Sequence, residues 1–233
     1  MDYIVEGILE AIRLLITGDP EIYQITWLTL KVSGIATLIS LLIGVPSGLV
    51  LAWVQFPGRK IIMSIVNMAM GFPPVVVGLW VFILLARNGP LGFMELLFTP
   101  TAIIIAQAII ASPVIMGLTA AAMMSIDKEM RYQVKALGAS KLQGIWLLLK
   151  EARFSILAAI IAGFGAVISE VGASMMVGGN IKGYTRVLTT ATVMETSKGN
   201  TALAIGISVI LLTITYLITS GLTALQQRGG QNR

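Results

Sequence analysis

Five long apolar stretches dominate the pattern of the chain. Each has at least the 20 or so residues that a helix needs to cross the hydrocarbon core of a membrane. Their bounds are 27–54, 61–86, 101–125, 155–178 and 201–225. None of them alternates polar and apolar residues, as the strands of a membrane barrel do. The pattern therefore predicts an all-α integral membrane protein, one domain over residues 1–233, with a core of five transmembrane helices over 27–225.

The N-terminal residues follow a different, amphipathic pattern. One helical face carries the apolar side chains of Ile4, Val5, Ile8, Leu9, Ile12, Leu15 and Ile16. The opposite face carries Glu6, Glu10 and Arg13. This charge predicts an interfacial helix over residues 1–19 that lies at the membrane surface. A signal peptide is the alternative, and it is disfavoured because acidic residues stand where a basic n-region would be.

Composition excludes most catalytic functions. Hydrophobic residues make up 56% of the chain and charged residues 12%, and the mean hydropathy is +0.90. A soluble enzyme needs a more polar surface than this. The sequence contains no histidine and no cysteine, so we expect no catalytic residue and no metal site. It also has no phosphate-binding G-x-x-x-x-G-K-[ST] motif, so it has no ATPase site of its own.

The basic residues are distributed unevenly between the two sides of the predicted membrane. One side receives ten of the 16 Lys and Arg residues, and six of these ten lie in the segment 127–153. The positive-inside rule places that side in the cytoplasm. The N-terminus is then outside and the C-terminus is inside.

The segment 127–153 has the pattern of a docking element. Apolar residues recur at helical spacing on both sides of Gly138, namely Met130, Val134, Leu137, Leu142, Ile145, Trp146 and Leu149. This spacing predicts two short amphipathic helices joined at Gly138, with Ser140 as the N-cap of the second. The segment either inserts into a partner protein or forms a basic surface against anionic lipids, and its apolar spacing favours a partner protein.

The same segment resembles the cytoplasmic signature of the permease subunits of binding-protein-dependent ABC importers. That signature is E-A-A, three residues, a glycine, nine residues and I-x-L-P. Gly138 stands at the glycine and Leu148 at the isoleucine, while 132–134 and 150–151 depart from the pattern. The resemblance implies that a separate ATPase couples to Lys135, Ala136, Leu137, Gly138, Ala139, Ser140 and Lys141.

Other parts of the chain extend this resemblance to nearly its whole length. The first span, the motif GFPPVVVGL at 71–79 and Ala-Ser-Pro at 111–113 are typical of the family. The stretches VGGNIKGYTRVLTT and ETSKGN, over 177–190 and 195–200, resemble the tungstate-importing members most closely. Molybdate, sulfate and phosphate permeases are the alternatives, and a stand-alone secondary transporter is a more distant one.

The resemblance also implies partners and a location. We expect a homodimer in the prokaryotic cytoplasmic membrane, because five spans are few for enclosing a path and two copies around a two-fold axis would form one. Two ATPase subunits, which bind ATP and Mg, would lie on the cytoplasmic side, and a soluble binding protein on the outer side. Transport would then proceed by alternating access.

A path for a small oxyanion needs hydrogen-bond donors within the membrane. The candidates are the polar and proline residues within the spans: Asn67, Pro73, Pro74, Ser112, Pro113, Ser169 and Ser174. The alternative for each polar residue is a side chain satisfied within its own helix or against a neighbour, and for each proline a packing kink.

Charged residues within and beside the spans suggest two further roles. Glu170 would repel a dianion, so we expect it to be paired or protonated and to help set the gate, with Lys31 as a possible partner. Lys182 and Arg186 would form a positive outer mouth, together with Lys198, that draws in an anion or docks a partner. The alternative for the mouth is a solvated surface loop.

Overall fold

The computed structural model describes residues 2–230, apart from the side chains at positions 2, 128, 131, 135, 141 and 228–230. Within that range the chain forms ten α-helices and one turn of 3₁₀ helix at Gly92–Met94. The helices are α1 Asp2–Thr17, α2 Pro20–Trp53, α3 Arg59–Met70, α4 Pro74–Leu85, α5 Pro100–Met124, α6 Lys128–Ala136, α7 Lys141–Ile168, α8 Gly172–Gly178, α9 Leu188–Ser197 and α10 Thr201–Gly230.

The predicted all-α membrane fold is confirmed. Among the described residues, four helices are long and apolar enough to cross a membrane: α2, α5, α7 and α10. The helices α3 and α4 together make a fifth candidate, but they meet at an angle of 103°. The break lies at Gly71–Pro73, where two consecutive prolines remove backbone donors and prevent one helix from continuing into the next.

The prediction for the fourth span is wrong in its bounds. The sequence suggested a span over 155–178 that was separate from two short amphipathic helices. Instead α7 runs without interruption from Lys141 to Ile168, so the second of those helices is the first part of the span. Residues 172–178 form the separate short helix α8. The charges at 150–153 do not end the helix, because they lie on its exposed or partly exposed faces.

Helix starts follow local sequence signals. Asp19 accepts hydrogen bonds from the N–H groups of Glu21 and Ile22 at the start of α2. Ser140 and Gln143 form a reciprocal capping box at the start of α7, which confirms the predicted N-cap. These caps supply partners for backbone donors that lack them in the first turn.

The core of the molecule is the contact between α2 and α5. A Cβ atom added to Gly48 would lie 2.6 Å from the carbonyl oxygen of Met116, and one added to Gly44 would lie 3.0 Å from Ile115. The two backbones approach this closely because α2 presents a stripe of small or hydroxyl residues to α5. The buried members of the stripe are Ser33, Ala36, Thr37, Ser40, Gly44 and Gly48.

The helix α1 packs through a face that the amphipathic pattern did not single out. Ala11 and Leu14 are buried against α10. Gly7 and Gly206 allow the close approach, since a Cβ at Gly7 would overlap Ile205. The predicted apolar face remains exposed on the subunit, from Ile4 to Ile16. Its place at the membrane surface stays a prediction.

Candidate functional site

The turn between α6 and α7 has a backbone that favours glycine. Gly138 has a φ of 75°, in the left-handed region, and no atom lies within 4 Å of the place where a Cβ would stand. The N–H of Ala139 donates to the carbonyl oxygen of Val134 and closes α6. Val134 is buried, and its side chain lies 3.5 Å from the Cβ position of Gly144, so it packs α6 against α7.

Apolar side chains at this turn are exposed on the surface of the subunit. Leu137 is 86% exposed, Leu142 79% and Trp146 63%. Together with the backbone of Gly138 and Ala139 they line an open cleft of about 830 Å³. Exposed apolar groups this dense favour contact with another protein. The side chains of Lys135 and Lys141, which belong to the predicted coupling set, lie outside the described residues.

Three interruptions of helical hydrogen bonding lie close together in the fold: the α3–α4 break, the α7–α8 break, and Pro113, which lacks a backbone N–H within the continuous α5. Pro113 of α5 shares a cavity of about 130 Å³ with Phe72 at the break between α3 and α4. At the start of α8, a Cβ on Gly172 would lie 2.4 Å from the side chain of Val75 in α4. The region around Pro73 and Pro74, Pro113 within α5 and the break between α7 and α8 are therefore neighbours. Such irregular backbone inside a membrane is tolerated beside protein or a cavity.

The predicted path residues differ in their exposure and in their hydrogen bonds. Asn67, Pro73 and Pro74 are exposed on the subunit. Ser112 donates its hydroxyl hydrogen to Ala108 O at 2.6 Å, and Ser169 donates to Gly165 O at 2.7 Å. Both serines therefore satisfy their donors within their own helices, although their hydroxyl oxygens can still accept hydrogen bonds.

Glu170 forms the centre of a buried polar cluster. Its side chain lies between α7 and α8, and the residue is 4% exposed. One carboxylate oxygen accepts a hydrogen bond from Ala173 N at 2.7 Å. The other accepts from Ser174 N at 2.9 Å and from Ser174 Oγ at 2.7 Å. Ser174 is thereby buried within the cluster and does not present its hydroxyl to a path.

Residues of two other helices complete the cluster. Gln107 of α5 donates to Val167 O at 3.1 Å and to Ser174 Oγ at 3.5 Å. Thr189 of α9 donates to the main-chain oxygen of Glu170 at 2.9 Å. The break between α7 and α8 is therefore held from both sides.

The expected pairing of Glu170 with Lys31 is not found. Lys31 is exposed, and within the described part of the chain no ion pair joins it to Glu170. Glu170 also lies beyond the end of the fourth spanning helix, because α7 ends at Ile168. The donors of the first turn of α8 satisfy the carboxylate instead of a cation.

The cations of the predicted outer mouth are paired with acids. Lys182 Nζ lies 2.6 Å from Glu21 and Arg186 Nη1 lies 3.0 Å from the same carboxylate. Lys198 Nζ lies 2.8 Å from Glu195. The first two pairs join the loop before α9 to α2, and the third lies at the end of α9; all three line a cleft of about 350 Å³. The positive field that an approaching anion meets is reduced accordingly.

Glu195 has a perturbed acidity. The pKa of the Glu195 carboxyl lies below its ordinary value of 4.5. The main cause is the hydrogen bond that the Asn200 side chain donates, and the second is the hydrogen bond from Lys198. Asn200 Nδ2 lies 2.7 Å from the carboxylate. The ionised carboxylate therefore helps to fix the end of α9 against the start of α10.

Comparison with known proteins identifies the kind of molecule to which these features belong. Residues 44–228 match the family described as the binding-protein-dependent transport system inner membrane component. The chain belongs to this family. It is thus a membrane-spanning permease subunit of an ABC transporter, and the turn at Gly138 lies within the matched region.

Individual relatives match over most of the permease. The tungstate uptake system permease protein TupB of Peptoclostridium acidaminophilum is 41% identical over 97% of this chain and 100% of its own. A probable anion ABC transporter permease protein of Haloferax volcanii is 40% identical over 82% of this chain and 84% of its own. A solved structure of the MetNI methionine ABC transporter, in an inward-facing conformation, has a TM-score of 0.72 at 20% identity. It covers 90% of this chain and 98% of that chain, and it shows the fold alone.

Some residues that shape the permease were missed in the sequence. Gln107 is absent from the predicted path residues, yet it joins α5 to both sides of the α7–α8 break. The stripe on α2 was also missed, although its spacing of three or four residues was visible. That signal could have been found by searching each span for recurring small residues.

Proposed function

We propose that this permease is the membrane subunit of an ATP-driven importer for tungstate. The supporting observation is the identity of 41% to a tungstate uptake permease over the full length of that relative. Permeases for molybdate, sulfate or phosphate remain the alternatives within the family. A stand-alone secondary transporter is disfavoured by family membership.

The turn at Gly138 is proposed as the place where a separate ATPase subunit acts. Its exposed leucines and Trp146 offer an apolar surface, and α7 continues from it directly into the membrane. A displacement of the turn would therefore be transmitted along one continuous helix to the break at Glu170. This continuity supports mechanical coupling better than two short helices would.

The path for the ion would lie beside the three interruptions of helical hydrogen bonding. Asn67 is exposed there, and the prolines leave backbone groups outside regular hydrogen bonding. A dianion requires such donors but also has to be released, so weak and distributed contacts suit transport. The carboxylate of Glu170 is turned toward the donors of α8 and is nearly inaccessible from the surface.

The complete transporter would contain two copies of this chain, two ATPase subunits and one binding protein. ATP and Mg would be bound by the ATPase subunits. The assembly would lie in the prokaryotic cytoplasmic membrane with the N-terminus outside and the turn at Gly138 in the cytoplasm. Selectivity would reside mainly in the binding protein, since the described part of this chain presents no dense set of anion donors.

The test of the substrate is uptake by proteoliposomes that contain the permease, its ATPase and its binding protein. We expect ATP-dependent uptake of tungstate that excess unlabelled tungstate abolishes and that sulfate and phosphate leave unchanged. If sulfate competes as well as tungstate does, the proposed substrate is wrong. If uptake follows an ion gradient without the ATPase, the proposed mechanism is wrong.

A substitution at Gly138 tests the coupling surface. Gly138→Trp is expected to lower ATP-driven uptake about tenfold or more, because losing about 1.4 kcal/mol of association energy already weakens binding tenfold. Gly58→Trp is the matched control, since Gly58 also has a positive φ, 85°, and open space around it. Equal loss in both variants would point to backbone strain, and unchanged uptake in Gly138→Trp would contradict the docking role.

A further inference from the structure

Several helices end at one level of the fold. Arg59, in the first turn of α3, donates to Leu51 O near the end of α2 at 2.6 Å. Its guanidinium also lies 3.5 Å from the sulfur of Met124 at the end of α5. Gln226, near the end of α10, donates to Phe154 O of α7 at 3.1 Å. In the orientation given under Proposed function, this level, at which α2 and α5 end, corresponds to the cytoplasmic boundary of the membrane.

Among the helices of residues 2–230, α7 is the one that continues well beyond this level. From Lys150 back to Lys141 it extends for nine more residues, or about 14 Å at 1.5 Å per residue. Lys150 and Arg153 therefore lie at the boundary of the membrane, while the turn at Gly138 lies well below it.

The two cations share an exposed face with an aromatic residue. Trp146, Lys150 and Arg153 are spaced by four and three residues, which places them along one side of α7. Lys150 Nζ lies 5.5 Å from the centre of the Trp146 ring, and the Arg153 guanidinium lies 4.5 Å from that of Phe154. All three residues of the face are exposed, and no described carboxylate forms an ion pair with either cation.

We infer that Lys150 and Arg153 bind the phosphate headgroup of an anionic phospholipid in the cytoplasmic leaflet. Cations without ion-pair partners at this level attract anionic lipids, and an arginine can hold a phosphate through two hydrogen bonds. Lys150 is about 14 Å along α7 from its first residue, Lys141, and Arg153 is farther, so a protein bound at the turn at Gly138 does not need these two cations. The proposal rests on the orientation given under Proposed function.

The test measures lipid binding to the purified permease, without transport, so that its failure is separate from failure of the proposed function. The permease in detergent is titrated with phosphatidylglycerol or with phosphatidylcholine, and retained lipid is counted by native mass spectrometry. We expect preferential retention of phosphatidylglycerol. Lys150→Gln and Arg153→Gln each weaken it about fivefold, the effect of one cation beside an anionic surface. The double variant loses the preference, and added salt weakens it in the parent protein.

Arg87→Gln is the matched control, because Arg87 is equally exposed but follows the other end of the α3–α4 pair. It is expected to retain phosphatidylglycerol like the parent protein. The proposal is overturned if the double variant keeps the preference, or if Arg87→Gln loses as much. It is also overturned if inorganic phosphate displaces the lipid, which indicates a site for free anions. Loss of ATPase binding in the double variant, with lipid retention unchanged, assigns the face to the partner protein instead.

Discussion

At the scale of single residues, Glu170 shows how a carboxylate is accommodated in an apolar interior without a cation. Its two oxygens accept three hydrogen bonds from Ala173 and Ser174. Burying such a group without partners costs several kcal/mol, so the donors at the start of α8 are what make its position tolerable. Glu170 therefore fixes where α7 ends and α8 begins.

Replacement of Glu170 by glutamine is expected to destabilise the permease. The glutamine NH₂ group would face a backbone N–H, which leaves a buried donor unsatisfied and costs about 1–3 kcal/mol. Thermal unfolding in detergent measures the effect. Ser169→Ala, at the exposed neighbouring position, serves as the control and is expected to change stability by less than about 0.5 kcal/mol. Equal melting temperatures for Glu170→Gln and the parent protein would show that the three hydrogen bonds are not needed.

Glu195 predicts a dependence of stability on pH. Because hydrogen bonds from Asn200 and Lys198 lower its pKa in the folded protein, its contribution is complete above the ordinary value of 4.5. The contribution is lost as the pH falls through the lowered folded-state value. Melting temperatures of the parent and Glu195→Gln are compared from neutral to acidic pH, and the difference between them is expected to shrink below pH 4.5. A difference that stays constant across this range contradicts the assignment.

Individual candidate residues could be named from the sequence, but their hydrogen bonds could not. Ser112 and Ser169 satisfy their donors within their own helices, which is the alternative that applies to any hydroxyl in a span. Ser174 has the same chemistry and bonds to Glu170 instead. Ser174 differs from the other two serines because the chain breaks between α7 and α8. The break places Ser174 in the first turn of α8, beside the Glu170 carboxylate.

At the scale of elements, glycines set the separation of α2 and α5. Gly48 faces the backbone of α5, whereas Gly34, on the same helix, has no atom within 4 Å of its Cβ position. Two glycines in one helix thus have opposite structural roles.

The two glycines give a matched pair of substitutions. Gly48→Ala places a methyl group 2.6 Å from Met116 O. The resulting overlap is expected to lower the free energy of unfolding by about 1–3 kcal/mol. Gly34→Ala is expected to be neutral or to stabilise by about 0.5–1 kcal/mol, because alanine favours a helix interior. The free energy of unfolding of both variants is measured in detergent. Equal values would show that α2 and α5 can move apart without loss of stability.

The error in the fourth span has a physical origin at this scale. Hydropathy placed its start at 155 because the charges before that point interrupt the apolar run. In the structure those charges lie on exposed or partly exposed faces, while Leu148 and Ala152 pack into the core. A helix needs only one buried face, so its continuity could not be deduced from average hydropathy.

At the scale of the whole molecule, the proposed function requires a definite orientation of the chain in the membrane. The chain has no cysteine, so single cysteines can be introduced without competing thiols. Leu137 and Phe93 are 86% and 81% exposed and lie in different connections of the fold.

An impermeant maleimide applied to sealed vesicles measures this orientation. We expect Leu137→Cys to react only from the cytoplasmic side and Phe93→Cys only from the outer side. Labelling after the vesicles are made permeable is the control for reactivity of each thiol. Reaction of Leu137→Cys from the outer side would contradict both the positive-inside assignment and the coupling role of the turn.

The sequence by itself determined the helical membrane fold, most of the spans and the apolar turn at Gly138. These follow from local physics: apolar length, capping residues and a glycine at a left-handed position. Only the tertiary structure decided that α7 is continuous, that three interruptions meet, and that Glu170 is satisfied by α8. Those features depend on contacts between segments far apart in the chain, such as Gln107 with Val167. No pattern within one segment specifies which distant group will supply its missing hydrogen-bond partner.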